Sequence, residues 1–123
     1  MTSLDDFHER RFTGALKALV ELLQQHNVEK WPTWFEDDLT DYLDSQGPPR
    51  QIARQKAVVE HVLMAFGGMS TFPQLKLIDE AGQPVEEANE RLLFLSTQLW
   101  AAARSMQGVL VSAEAGSHTA PNS

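Results

Sequence analysis

Apolar residues recur every three or four positions along most of this chain, and this spacing limits the fold more than any other feature. A period near 3.6 places apolar side chains on one face of an α-helix, where they can pack against other helices. The first such segment is predicted to run from about Leu4 to His26, with Ser3 as its N-cap and Asn27 as its end. Its apolar face consists of Leu4, Phe7, Phe12, Ala15, Leu16, Leu19, Val20 and Leu23.

Capping and helix-breaking residues bound a second helix. Thr33 and Glu36 have the spacing of a capping box, in which a hydroxyl and a carboxylate each accept a hydrogen bond from the backbone. The helix is therefore expected to begin near Trp34 and to end near Ser45, ahead of Gly47-Pro48-Pro49.

Two further helices follow from the same signals. A third is predicted from about Arg50 to Phe66, with Gly67 as a left-handed C-cap. A fourth is predicted to begin after Pro84 and to close near Gly108. The apolar face of this last helix consists of Leu92, Leu95, Leu99, Ala102 and Met106.

The connection between the third and fourth helices, residues 68–84, is longer than helical bundles usually need. Leu75-Lys76-Leu77 alternates as a strand does, and Glu80-Ala81-Gly82 is typical of a turn, so we expect a long structured loop or a short hairpin. The predicted fold is all-α, a compact bundle of about four helices. We expect one helical domain over residues 1–111 and a flexible C-terminal tail of small and polar residues over 112–123.

No motif for catalysis or cofactor binding is evident. The chain has no cysteine, which excludes disulfides, thiolate metal sites and cysteine nucleophiles. His8-Glu9 opens like a zinc-protease motif, but Phe12 stands where a second histidine is required. No catalytic residue, metal site or cofactor is therefore predicted, and the protein is not expected to be an enzyme. The enzyme alternative would rest on Glu21, or on Glu60 beside His61, in a cleft.

The charge distribution is the strongest functional signal. Seventeen Asp and Glu against ten Lys and Arg give a net charge of −7, which argues against nucleic acid or an anionic membrane as partner. The acidic N-terminus lacks the features of a secretory signal, so a cytoplasmic location is expected. Five carboxylates and no basic residue fall within residues 31–47, and they are Glu36, Asp37, Asp38, Asp41 and Asp44.

These carboxylates have two interpretations. The spacing of the four aspartates puts them on one helical face. The face could be simply solvated, as exposed charges usually are, or it could dock a basic protein surface. Trp31, before Pro32, is expected to be partly exposed, whereas Trp34 and Trp100 are assigned to helix packing.

Four short motifs, in their order along the chain, resemble those of a family of small uncharacterised helical bacterial proteins that carry a Phe/Tyr-Gly-Gly-Met motif. The resemblance covers about residues 4–105. After Phe-Gly-Gly-Met the family tends toward Gly-Ser-Phe-Asn-Asp-Leu, where this chain reads Ser70-Thr71-Phe72-Pro73-Gln74-Leu75. The matching segments are Trp31-Pro32-Thr33-Trp34, Phe66-Gly67-Gly68-Met69, Leu75-Lys76-Leu77 and Asn89-Glu90-Arg91-Leu92.

The resemblance implies an immunity-like protein that binds and neutralises a cognate bacterial toxin or effector with a basic surface, without catalysis. The four aspartates would supply the attraction, with Glu36 shared between capping and docking and Trp31 as an anchor. The alternative is a small homo-oligomeric adaptor or structural protein, a homodimer whose aromatic stripes pair across a two-fold interface.

Overall fold

The computed structural model describes residues 3–47, 51–67 and 72–119, and four α-helices lie within these ranges. They are α1 (Ser3–Gln25), α2 (Lys30–Asp44), α3 (Ile52–Met64) and α4 (Glu86–Thr119), with a single 3₁₀ turn at Phe72–Gln74 between α3 and α4. Helix α4 packs along both α1 and α3, and α2 packs against the same two helices. The predicted all-α four-helix bundle is confirmed.

The predicted apolar faces form the core. The side chains of Leu92, Leu95, Leu99, Ala102 and Met106 on α4 are all buried, as are the central apolar residues of α1. Asn27 takes the left-handed conformation, with φ of 57°, and turns the chain from α1 into α2 as predicted. The largest fully buried side chains are Phe12, Leu16, Leu19, Leu23, Phe35, Tyr42, Gln55, Val59, Leu77, Leu99, Met106 and Leu110.

The predicted start of the second helix is wrong. Helix α2 begins at Lys30, about one turn before Trp34, and its N-cap Glu29 makes no side-chain capping bond. Pro32 is tolerated because the first four N–H groups of a helix have no acceptor within it. Burial of Trp31 against the core accompanies this longer helix, so Thr33 lies inside it rather than at its cap.

The predicted ends of α3 and α4 are also wrong. Helix α3 is capped at Ala65, and Gly67 does not take a left-handed conformation. Helix α4 continues through Gly108, although glycine inside a helix costs about 1 kcal/mol relative to alanine. Beyond it, Leu110 is buried and Glu114 forms an ion pair with Lys56 of α3, at 3.1 Å.

The expected C-terminal tail is therefore helical as far as Thr119, while residues 120–123 lie outside the described part of the chain. The boundary that separates a domain of residues 1–111 from a tail of residues 112–123 stays a prediction.

The long connection is a structured loop, as expected, closed by a small turn. Ile78 and Pro84 form an isolated antiparallel bridge, and Gly82 has φ of 79° within the predicted turn. Asn89 of α4 fixes this loop: its side-chain amide donates to the carbonyl oxygens of Leu77 and Val85, both at 2.9 Å, and its carbonyl oxygen accepts from the Leu77 N–H at 2.8 Å. Residues 68–71, which begin the predicted loop, lie outside the described residues.

We expect Asn89→Ala to lower the free energy of unfolding by about 2–3 kcal/mol, because three hydrogen bonds to the backbone of a half-buried loop are lost together. Urea denaturation measures the change. Arg91→Ala, at an exposed position on the same helix, is the control and should stay within about 0.5 kcal/mol. Equal stability of the two variants would show that Asn89 does not hold the loop.

Candidate functional site

An acidic groove of about 510 Å³ runs between α2 and α3. Helix α2 supplies four aspartates and a threonine, and α3 supplies an arginine, a histidine and two aliphatic side chains. The lining residues are Asp37, Asp38, Thr40, Asp41, Asp44, Arg54, Ala57, Val58 and His61.

Asp38 is the most buried of the acidic residues that line this groove. Its side chain is 8% exposed, and its Oδ1 lies 2.7 Å from Nδ1 of His61. Trp34 stacks on the other side of the pair, with its ring centroid 4.1 Å from that of His61 and the planes 12° apart. Oδ2 of Asp38 is buried and has no hydrogen-bond partner among the described residues. One acceptor of this carboxylate is therefore unused and shielded from water.

Burial raises the pKa of Asp38 from its ordinary 3.8 to about 6. The hydrogen bond and the charge of His61 oppose this rise, while the neighbouring charges of Asp37 and Asp41 add to it. The charged form of Asp38 is therefore costly in the free protein, and a cation placed against it would favour that form.

Arg54 partly neutralises the rim of the groove. Its guanidinium binds Asp41 through Nε, at 2.8 Å, and through Nη2, and it also reaches Oδ2 of Asp44 at 3.2 Å. Asp44 remains mostly exposed, with 73% of its side chain accessible. Asp37 is exposed and forms no ion pair with any residue in the described ranges. The rim thus has three carboxylates against one guanidinium.

The structure brings together four of the six residues that the sequence singles out. Asp37, Asp38, Asp41 and Asp44 line one groove, which agrees with their helical spacing. Glu36 is exposed but lies outside the groove lining.

The expectations for two of the tryptophans are wrong. Trp31 is 5% exposed, among the rings of Trp34, Phe35 and Phe72, because α2 starts earlier than expected and turns this position inward. It is therefore not on the surface that an anchor needs. Trp100 is 45% exposed rather than packed in the core, whereas Trp34 packs against the core as expected.

Sequence reasoning missed Arg54, and it considered His61 only as part of an enzyme cleft. Both approach the aspartates because α2 and α3 pack side by side, and no local spacing encodes a contact across 10 to 23 residues. Of the groups named for the enzyme alternative, His61 lines the groove, whereas Glu21 and Glu60 do not. A buried carboxylate can orient a histidine as a general base, but that chemistry also needs a nucleophile and oxyanion donors in place.

Within residues 3–47, 51–67 and 72–119, no group of three or more histidine, aspartate or glutamate side chains is arranged to hold a metal ion. None of the helices in these ranges is long and apolar enough to span a membrane. No protein-family model, curated protein or solved structure matches this chain. The family resemblance and the function that it implies stay predictions.

We expect Asp38→Asn to stabilise the fold at high pH. Because the folded-state pKa lies above the unfolded value, ionisation of Asp38 destabilises the fold progressively between pH 3.8 and about 6 and fully above that. The uncharged asparagine should therefore raise the free energy of unfolding by up to about 3 kcal/mol near pH 8 and change it little near pH 4.

Urea denaturation of both proteins at the two pH values measures this difference. Asp37→Asn, which alters an exposed carboxylate of the same helix, is the control and should stay within about 0.5 kcal/mol. If Asp38→Asn instead destabilised the fold equally at both pH values, the hydrogen bond to His61 would outweigh the cost of burying the charge.

Proposed function

We propose that this protein binds a partner protein with a basic surface through the groove between α2 and α3, and that it acts as an immunity protein that neutralises a bacterial toxin. The observation that carries the proposal is the position of Asp38, a buried carboxylate with one oxygen unpaired within the described structure, beneath a rim of further aspartates. A buried unsatisfied acceptor in a groove is costly unless a donor reaches it.

A cationic side chain of the partner would meet two kinds of carboxylate here. The exposed Asp37 and Asp44 would attract it over a distance, which raises the association rate more than the affinity. The desolvated Asp38 would then form a charge-assisted hydrogen bond, which is stronger than one made in water. An arginine suits this site better than a lysine, because its planar group can bind two carboxylate oxygens at once.

Arg54 supports a protein partner rather than a free cation. It pairs with Asp41 and Asp44, so a positive charge lies among the carboxylates at the rim of the groove. Alternating charges of this kind favour a partner surface with complementary charges and discourage other basic molecules. The toxin as partner comes from the family resemblance, since toxins that act on nucleic acids or nucleotides have basic active sites that an acidic protein can cover.

The test begins with co-expression of a tagged chain with each neighbouring gene product of its native locus, followed by purification at low and high salt. A toxin should co-purify, lose its activity in the complex, and associate more slowly as the salt concentration rises. No stable complex with any neighbouring product would contradict the proposal.

Charge variants then locate the interface. Asp37→Asn, Asp41→Asn and Asp44→Asn combined should slow association by at least about tenfold at low salt and weaken the complex by about the same factor. The matched control changes three exposed glutamates elsewhere, with the same change in net charge, as Glu80→Gln, Glu86→Gln and Glu87→Gln. If the two triple variants bound equally well, the groove would not be the docking site.

A further inference from the structure

Helix α4 exposes large apolar side chains on the face opposite its buried stripe. Leu93 is 69% exposed, Phe94 is 58% exposed and Trp100 is 45% exposed. Leu93 and Trp100 also border an apolar groove of about 350 Å³ beside the 3₁₀ turn. Single exposed apolar residues are ordinary on a monomer, but a contiguous patch that continues into an apolar groove marks an interaction surface.

Two opposite charges on this face lie equally far from Thr97 along the helix. Glu90 lies seven residues before Thr97 and Arg104 seven residues after it, and both are exposed. Seven residues are close to two helical turns, so both charges lie on the same face as Thr97. Neither forms an ion pair with another residue of the described ranges, and the Arg104 guanidinium lies 5.7 Å from the centroid of the Trp100 ring.

We infer that this face binds a second copy of the chain, with the two α4 helices antiparallel and the two-fold axis at Thr97. In such a pair, residues equally far before and after the axis lie level with each other on the two helices. Glu90 then faces the second copy's Arg104, and Arg104 faces the second copy's Glu90. In this antiparallel register each of the two charges meets an opposite charge on the second copy.

The apolar side chains complete the fit. On one side of the line along which the two α4 helices meet, Leu93 packs against the second copy's Trp100. The two-fold axis repeats this contact. On the other side Phe94 covers the second copy's Ala101, so that a large residue meets a small one. Thr97, a small residue, lies where the helices approach most closely. The centre of this interface is apolar and aromatic, and a charged pair lies at each of its two ends. Stable protein interfaces have the same arrangement.

This inference goes beyond the proposed function and does not depend on it. The face uses residues of α4 between Glu90 and Arg104, and none of them lines the acidic groove. A dimer would present two acidic grooves, one on each copy. Failure of toxin binding and failure of dimerisation are therefore separate outcomes.

The first experiment measures the mass of the purified chain by sedimentation and light scattering over a range of concentrations. Twice the monomer mass of 13.8 kDa is expected at high concentration, and a monomer throughout would overturn the inference. Because the chain has no cysteine, Thr97→Cys provides a single thiol at the axis, which should oxidise to a symmetric disulfide between copies. Arg91→Cys, exposed on the same helix but off this face, is the control and should remain uncrosslinked.

Charge reversal tests the register. Glu90→Arg and Arg104→Glu should each weaken the dimer by at least about tenfold, since each places like charges together, and the double variant should restore it. Both positions are exposed, so the monomer should keep its fold, which thermal unfolding checks. A dimer that forms equally well with all three variants, or that leaves Thr97→Cys uncrosslinked, would show that the copies meet elsewhere.

Discussion

The packing of aromatic rings around Phe72 is the contact on which the rest of this structure depends. Its ring lies 5.2 Å from Trp31, 5.1 Å from Phe35 and 5.4 Å from Phe66, measured between centroids. Edge-to-face pairs of this kind add stabilisation beyond the apolar area they bury. They join the start of α2 to the turn after α3 and to the loop before α4, so they hold α2 against α3 at this end of the bundle.

That placement has an electrostatic consequence. With Trp31 and Phe35 turned inward, Asp38 falls at the edge of the core, where water is largely excluded. His61 and the stacked Trp34 fix its position, but they do not overcome the cost of burying its charge, and its pKa rises. Ionisation of Asp38 therefore weakens the fold.

Two surfaces of the molecule differ in the partner chemistry they suit. The groove between α2 and α3 is acidic and holds a desolvated carboxylate, which suits a basic protein. The outer face of α4 is apolar, and its two charges would each meet the opposite charge on a second copy related by a two-fold axis. This face therefore suits a second copy. Helix α4 carries apolar side chains on opposite sides, one stripe buried within the chain and the other exposed.

The sequence by itself determined the four helices, the left-handed turn at Asn27, the turn at Gly82 and the grouping of the aspartates, because helical period, backbone preference and spacing are local properties. Only the tertiary structure decided that Trp31 is buried and Trp100 exposed, that Arg54 and His61 meet the aspartates, and that α4 passes through Gly108. These outcomes depend on which helix lies against which, and packing between distant segments outweighs the weak local signals that end a helix or expose a ring.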